Sequence, residues 1–428
     1  MGVENNIPEG WMETTLGDLV ERITKGTTPK TFSSEKNDVN YIKSDALNYS
    51  GFLDNGRFVK ISNETNNKLK RSQLKVDDIL LSMAGEKLGK TGIIKEQHLP
   101  ANTNQAVAII TVNKKRVGYK FIWYKLRNKN TVKYFKTIPS QSAQPNINFQ
   151  EIRSLPINLP TLPEQKSIAK VLTAFDDKIE LLQSQNKTLE TMAQTIFIEW
   201  FGKYQIGDEL PEGWRVGEFG EVIEFINGYA FKSKDLSKEP IDNAYKVFKM
   251  GDINKGGGFK PGKTKGYYPK SMSTKLNKYI LKNGDLLMSM TDMKDAISLL
   301  GHTALMIYED EYIVNQRVGL IRVKNDLNIE YPYLYLLTNN DDFIAGIRAG
   351  ANSGVQVNLS TQGIKETEFI IADKETNKAF NNVVMPLFEK RKANSQMIKE
   401  LKKTRDTLLP KLMSGQVRVK NINQTTDA

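Results

Sequence analysis

The stretch LPTLPEQKSIAKVLTAFDDKIELLQSQNKTLETMAQTIFIEWF, residues 159–201, decides how this chain is organised. After Pro163 it contains neither proline, which removes a helical donor, nor glycine, which costs helix entropy. Thr161 is placed to cap a first turn, Pro163 fits within it, and Glu164 faces the positive end of the helix dipole. Apolar side chains then return at Ile168, Leu172, Phe175, Ile179, Leu182, Leu189, Ala193, Ile196 and Trp200, in steps of four and three. Asn186 fills the one polar slot. A period of 3.5 sustained this long is the seam of a coiled coil, and a buried Asn in it fixes register at some cost in stability. Such a helix, about 40 residues at ~1.5 Å each, would run roughly 60 Å. A seam of that length needs a second helix to cover it.

The chain supplies one, because it is written twice. IPEGW (7–11) returns as LPEGW (210–214), and LGDLVERITKG (16–26) as FGEVIEFING (219–228). LKVDDILLSM (74–83) returns as LKNGDLLMSM (281–290), and NQAVAIITV (104–112) as NQRVGLIRV (315–323). AQPNINFQEI (143–152) matches VQVNLSTQGI (355–364) in the same order. A period of about 210 residues is far too long for a solenoid and reads as a tandem module. The second copy ends in its own helical segment, from about Thr376 to Met413. Its seam is Val384, Phe388, Ile398, Leu401, Leu408 and Leu412, with Arg391 and Arg405 interrupting and Gly415 ending it. Ahead of each helix lie apolar runs of strand length, VAIITV (107–112), LPINLP (155–160) and VGLIRV (318–323), punctuated by Gly, Asn, Ser and Pro. Short helices fit at 16–24 and 119–129. The predicted fold is α+β: two tandem globular domains, 1–160 and 203–373, joined by long helices at 161–202 and 374–417 that pair as an antiparallel coiled coil. The result is pseudo-two-fold within one chain, and 418–428 is a flexible tail.

Composition narrows the function. The 428 residues carry a formal charge of +12, with a pI near 9.3. Such an excess suits a nucleic-acid partner, since cations that neutralise phosphates release counterions. With no cysteine there are no disulfides, thiol catalysis or thiolate zinc sites. His98 and His302 stand far apart, outside any metal-ligand spacing. No secretory pattern opens the chain and no apolar run approaches a membrane span, which predicts a cytoplasmic protein with no membrane partner.

With repeats and helices together, the chain resembles the DNA-specificity (S) subunits of type I restriction–modification enzymes, a host-defence family. The resemblance covers nearly the whole chain. It rests on IPEGW and LPEGW, on residues 159–201, and on MPLFEKRKANSQMIKELKKTRDTLLPKLMSGQV (385–417). It implies two target-recognition domains, each reading one half of a bipartite asymmetric site in double-stranded DNA, with the paired helices as the spacer between them. It further implies two methyltransferase subunits as partners and, through the complex, restriction/translocase subunits. No cofactor is expected on this chain; S-adenosylmethionine, ATP and Mg are expected on those partners.

Base readout needs Asn, Gln, Arg, Lys, Ser or Thr on loops or helix ends. In the first domain the candidates are Lys25, Thr27, Thr28, Lys43, Ser44, Lys87, Lys90, Thr91, Ser142, Gln144 and Asn146. In the second they are Lys249, Lys263, Lys265, Lys294, Arg317, Asn352, Ser353, Gln356 and Asn358. Asn104-Gln105 and Asn315-Gln316 open matching strands, and Trp11 and Trp214 open matching modules. Shared positions of this kind favour structural roles. Lys166, Lys170 and Lys187 fall on the solvated side of the long helix.

Catalysis is not expected of the chain alone. It lacks the DPPY- or NPPY-like motif of adenine methyltransferases. Asp78 matches Asp285, which suggests a turn, and the pair Asp176-Asp177 lies off the seam, which predicts solvation. SMAGEKLGKTG (82–92) approaches the phosphate-loop pattern G-x-x-x-x-G-K-[ST], but Ala84 stands where its first glycine belongs. The second copy, SMTDMKDAISLLGHT (289–303), abandons Gly-Lys-Thr, and GIIKEQ reads as a strand where a phosphate loop opens a helix. A phosphate-loop ATPase is therefore the least favoured alternative. A coiled-coil scaffold joining two interaction domains, without DNA, is the other.

Overall fold

The computed structural model describes residues 7–138, 145–260, 266–293, 297–351 and 356–419. Contacts divide the chain into two compact units, residues 1–181 with 398–428, and residues 182–397.

The first unit holds β1 (Met12–Thr15), α1 (Leu16–Leu19), β2 (Val20–Lys25), β3 (Val39–Ile42), β4 (Val59–Ile61), α2 (Asn63–Lys68), β5 (Ile79–Ser82) and β6 (Thr91–Ile93). After these come β7 (Ala101–Thr103), β8 (Val107–Val112), α3 (Tyr119–Arg127), α4 (Lys129–Thr137), α5 (Phe149–Arg153), β9 (Pro156–Leu159) and the start of α6 (Leu162–Phe201). Its main sheet has the antiparallel order β2-β8-β5-β6, and a second sheet has the order β4-β3-β7. The run VAIITV is continuously apolar because β8 is buried on both faces. Ala108, Ile110 and Val112 enter a core with α3, while Val107 and Ile109 enter another with Ile42, Leu80 and Ala101. A strand alternates its side chains between faces, so two cores demand two apolar sets.

The second unit takes the remainder of α6, then β10 (Arg215–Glu218), α7 (Phe219–Val222), β11 (Ile223–Asn227), β12 (Ala244–Phe248), β13 (Tyr267–Pro269), β14 (Leu286–Ser289) and β15 (Thr291–Met293). It continues through β16 (Thr303–Leu305), β17 (Tyr312–Val314), β18 (Val318–Val323), α8 (Tyr331–Leu337), α9 (Asp341–Ala349), β19 (Gln356–Asn358), α10 (Thr361–Lys365), β20 (Glu368–Ile371) and the first part of α11 (Lys374–Ser414). The sheets repeat as β11-β18-β14-β16 and β13-β12-β17, and the small pair β1-β9 repeats as β10-β20. One element is new, the antiparallel pair β15-β19. Matched small residues have a steric cause. A Cβ on Gly26 would lie 1.7 Å from the Thr103 carbonyl oxygen, and one on Gly228 would lie 2.1 Å from that of Asn315. Trp11 and Trp214 are tied to the starts of the long helices, with Nε1 donating to Glu164 in the first turn of α6 at 3.0 Å and to Asp373, the residue before α11, at 2.9 Å.

The long helices run antiparallel within each unit. In the first, Ile168 and Leu172 share a core with Leu409, Leu412 and Met413. In the second, Phe201 packs on Phe380 at 4.9 Å, and Asn186 donates to Ser395 Oγ at 3.0 Å and accepts from Asn394 at 3.0 Å. Asn186 is thus the polar pairing point that the seam pattern implies. Of the seam residues, Ile168, Leu172, Ile179, Leu182, Val384, Phe388, Ile398 and Leu412 are buried. Phe175, Leu189, Ile196, Leu401 and Leu408 are half-buried, because a two-helix pair covers only a narrow stripe.

Two expectations need correction. The helix at 16–24 is a single turn, Leu16–Leu19. Its continuation pairs with β8 instead, as suits the β-branched Val20, Ile23 and Thr24. Asp176 is not solvated but only 2% exposed. It accepts from Arg127 Nη1 at 2.6 Å, from Arg405 Nη1 at 2.6 Å and from Tyr124 Oη at 2.9 Å. Arg405 therefore occupies a seam position without interrupting it, because a buried acid meets it there. Asp177 is exposed, as expected.

Candidate nucleic-acid interface

In the first unit the segment from Met83 to Lys90 joins β5 to β6 through one 3-10 turn, Gly85–Lys87. It is closed by Ser82 N–H donating to the Lys90 carbonyl at 2.8 Å and Gly89 N–H to the Ser82 carbonyl at 3.0 Å. β6 pairs antiparallel with β5, so no helix opens after Gly-Lys-Thr. The glycine has a packing reason. Gly89 sits at φ +84°, and a Cβ there would lie 3.0 Å from Val132 of α4. Thr91 is fully buried within β6. It is therefore withdrawn as a DNA contact, since a side chain facing the core cannot reach a duplex.

Residues 145–147 dock on this loop. Gly85 N–H donates to the Pro145 carbonyl at 2.8 Å and Ile147 N–H to the Met83 carbonyl at 3.0 Å, which leaves Asn146 exposed beside Ala84. The matching segment of the second unit does the same work in β19, which pairs with β15 immediately after β14. Gln356 opens that strand and Asn358 ends it, exposed. Asn146 and Asn358 thus sit at matching places, paired with Ala84 and Thr291 beside the two loops.

Around the first loop the positive charge is concentrated. Tyr49 Oη donates to the carbonyls of Glu86 and Leu88, both at 3.2 Å. The ammonium groups of Lys90 and Lys136 each lie 5.5 Å from the Tyr49 ring centroid, within cation–π range. Lys129, Lys133 and Lys136 of α4 are exposed and Lys87 is half-buried. Next to them opens a cavity of about 650 Å³, whose walls include Tyr49, Lys129, Lys133, Lys136, Lys402 and Arg405. Burial pushes the Lys402 pKa down, and the neighbouring Arg405 charge lowers it further, against a partial offset from Asp406. Positive charge here exceeds its local counter-charge.

Elsewhere in this unit, Lys25 is exposed at the end of β2, and Thr27 and Thr28 are exposed just beyond it. Thr28 hydrogen-bonds Gln105, and the Thr27 carbonyl accepts from Tyr41 Oη at 2.9 Å. Lys43 and Ser44 are half-buried, with the Lys43 ammonium 5.7 Å from the Phe32 ring centroid. In the second unit Lys249 is half-buried at the end of β12, and Arg317 is exposed ahead of β18. Ser142, Gln144, Lys263, Lys265, Lys294, Asn352 and Ser353 lie outside the described residues.

Sequence reasoning missed Tyr49 and the lysines of α4. A signal existed, because Lys129, Lys133 and Lys136 recur at i, i+4 and i+7, one face of a helix with no acid. The corresponding helix of the second unit, α9, opens instead on Asp341 and Asp342. The two units therefore present different electrostatics from the same scaffold. Asp78 is buried, accepting from Lys75 N–H at 2.8 Å, and Asp285 binds Arg322 Nε at 2.9 Å. Both are internal ties. His98 and His302 are buried, and burial lowers both their pKa values. Among the described residues no cluster of three or more His, Cys, Asp or Glu could hold a metal, and no helix is long and apolar enough to cross a membrane.

Comparison with known proteins places this architecture. A family model described as "Type I restriction modification DNA specificity domain" matches twice, over residues 8–191 and 211–403. The chain is 25% identical to the type I restriction enzyme MjaIX specificity subunit of Methanocaldococcus jannaschii, over 97% of this chain and 95% of that protein. It is equally similar, 25% over 97% and 95%, to the MjaVIII specificity subunit of the same organism. Among solved structures, the S subunit of a type I restriction–modification system from M. genitalium superposes with a TM-score of 0.56 at 16% identity, covering 96% of this chain and 98% of that one.

Proposed function

Because the chain belongs to the type I restriction–modification DNA specificity family, we propose that it selects the DNA sequence on which a methyltransferase and restriction complex acts. Each unit reads one half of a bipartite asymmetric site, and the antiparallel helices set the number of unspecified base pairs between the halves. The observation that carries this reading is duplication with divergence. Two units share one sheet topology, yet the first surrounds its loop with Lys87, Lys90, Lys133 and Lys136 while the second builds β15-β19 and an acidic turn at α9. One scaffold with two unlike faces suits two different half-sites, since base identity is read by side-chain donors and acceptors on groove-facing loops.

In this reading the lysines around Tyr49 grip phosphates, which positions the domain without reading sequence. Asn146 and Asn358, on segments docked beside the β5 and β14 loops, are the better placed of the candidates for base edges. Two methyltransferase subunits bring S-adenosylmethionine, and restriction/translocase subunits bring ATP and Mg, in the cytoplasm. The chain itself contributes recognition and no chemical step. Mapping of adenine methylation in cells carrying this chain with its methyltransferase partner tests the proposal. One split motif, absent when this chain alone is deleted, is the expected result. Unchanged methylation after the deletion would contradict it and favour a scaffold that does not contact DNA.

A further inference from the structure

Each unit contains the same three-part contact, made from different residues. In the first, Tyr124 of α3 donates to Asp176 of α6 at 2.9 Å, and Arg405 of α11 pairs with the same carboxylate at 2.6 Å. In the second, Tyr335 of α8 hydrogen-bonds Glu190 of α6, and Arg391 of α11 pairs with that carboxylate at 3.0 Å. The tyrosines are equivalent, since each stands twelve residues after the last residue of its central strand, Val112 or Val323. The helix residues are not related by the sequence repeat. Both acids lie on α6 and both arginines on α11, although α6 follows the first domain and α11 the second.

The spacing shows a second regularity. Asp176 and Glu190 are fourteen residues apart, and so are Arg391 and Arg405. Fourteen residues are two heptads, which returns a side chain to the same stripe of a coiled-coil helix. The seam pattern alone assigns Arg391 and Arg405 to interruptions. In three dimensions each closes a bridge to which a domain tyrosine is attached. A satisfied tyrosine hydroxyl on a buried helix is commonplace. The same acid–arginine partnership met by matching tyrosines in both units is not explained by satisfaction alone.

We infer that Tyr124–Asp176–Arg405 and Tyr335–Glu190–Arg391 are positioning locks, which fix the rotational setting of each domain on the helix pair and so the spacer length that the protein accepts. Apolar packing is non-directional and allows a domain to turn on a helix. A hydrogen bond to a carboxylate already held by a guanidinium is short and directional, and it resists turning. The demand is real, because adding one base pair rotates the far half-site by about 34° and moves it by about 3.4 Å, given roughly 10.5 base pairs and 34–36 Å per turn. The locks are unequal. Asp176 is also held by Arg127 of α3 at 2.6 Å, so the first domain keeps a tie when Tyr124 is lost. Among the described contacts of Glu190, only Tyr335 comes from the second domain's globular part. Within the Glu190 lock Tyr335 is therefore the sensitive position, while Tyr331 Oη donating to Glu389 of α11 and Asn377 of α11 donating to the Leu327 carbonyl, both at 3.0 Å, hold the second domain to the helix elsewhere.

This inference rests on the specificity-subunit reading, and its test separates the two. The complex with methyltransferase is assembled with wild-type chain, Tyr335→Phe, Glu190→Gln or Tyr124→Phe. Transfer of labelled methyl groups is measured on duplexes carrying the mapped motif, the motif with its spacer changed by one base pair either way, and the motif with one half-site altered. Tyr335→Phe and Glu190→Gln should each reduce the preference for the native spacer at least tenfold, with half-site preference and complex assembly unchanged. Tyr124→Phe should reduce it less. An unchanged spacer preference in Tyr335→Phe would overturn the inference, and so would loss of half-site discrimination, which would place Tyr335 in base reading instead. If wild-type complex methylates all duplexes alike, the specificity reading itself fails, and the locks fail with it.

Discussion

Replacing Asp176 with alanine would leave two guanidinium groups and a tyrosine hydroxyl facing an empty site. The Arg127 side chain is 3% exposed and that of Arg405 is 7% exposed, so water cannot take over the role of the carboxylate. Removing one partner of a buried pair typically costs ~3–5 kcal/mol. Arg405 retains Asp406 as a second partner at 2.8 Å, on a side chain 42% exposed, which places the expected loss near the lower end, about 3 kcal/mol. For a unit of roughly 200 residues, each kcal/mol moves the midpoint by about 2–4 °C, so the first unit should melt ~6–12 °C earlier. Scanning calorimetry is the suitable assay, because two units need not melt as one transition. Phe380→Ala, in the second unit's aromatic core, identifies the other transition. A shift below about 2 °C in Asp176→Ala, or a shift confined to the transition that Phe380→Ala moves, would refute the reasoning. Replacing Asp176, Arg127 and Arg405 together with apolar residues should recover most of the loss, since well-packed substitutes for buried ions are often neutral or better.

The same carboxylate gives a pH dependence. Burial pushes the Asp176 pKa up, but the hydrogen bonds and charges of Arg127 and Arg405 outweigh this and hold it below its ordinary value. A depressed folded pKa means stability that is present above the unfolded value, near ~3.9, and lost as pH falls through the folded one. The first unit should therefore lose stability in acid, and Asp176→Asn should flatten that part of its acid titration, followed by circular dichroism. Lys133→Gln with Lys136→Gln should weaken DNA binding by the assembled complex similarly on all sequences. The slope of log affinity against log salt should fall by up to ~1.8, at about 0.9 per phosphate contact. An unchanged slope in a salt titration would remove α4 from the interface. Gly89→Ala should destabilise the first unit by about 1–2 kcal/mol, the usual cost of a left-handed backbone for an L-residue, measured by urea denaturation. Equilibrium dialysis should find no ATP bound to either form.

Much of the fold was legible because its signals are local. The 3.5-residue seam, the repeat and the runs VAIITV and VGLIRV depend on neighbours in sequence, and β8 and β18 span those runs. What escaped was set by tertiary contact. Residues 20–25 form a strand because β8 offers a pairing edge, which local helix periodicity cannot foresee. Asp176 is hidden among polar positions of α6 because its partners, Arg127 and Arg405, are 49 and 229 residues away. The site was legible only in part. Loop lysines could be proposed from composition, whereas Tyr49 acquires its meaning when Lys90 and Lys136 converge on its ring. Thr91 was misplaced because a strand residue and a loop residue look alike at the end of a Gly-Lys-Thr motif, and only the pairing of β6 with β5 decides between them.

The most direct test of the account exchanges residues 1–160 for the first domain of another member of the family and maps adenine methylation in cells with the cognate methyltransferase. The account predicts that one half of the split motif changes while the other half and the spacer length remain. A motif changed in both halves, or in neither, would contradict it.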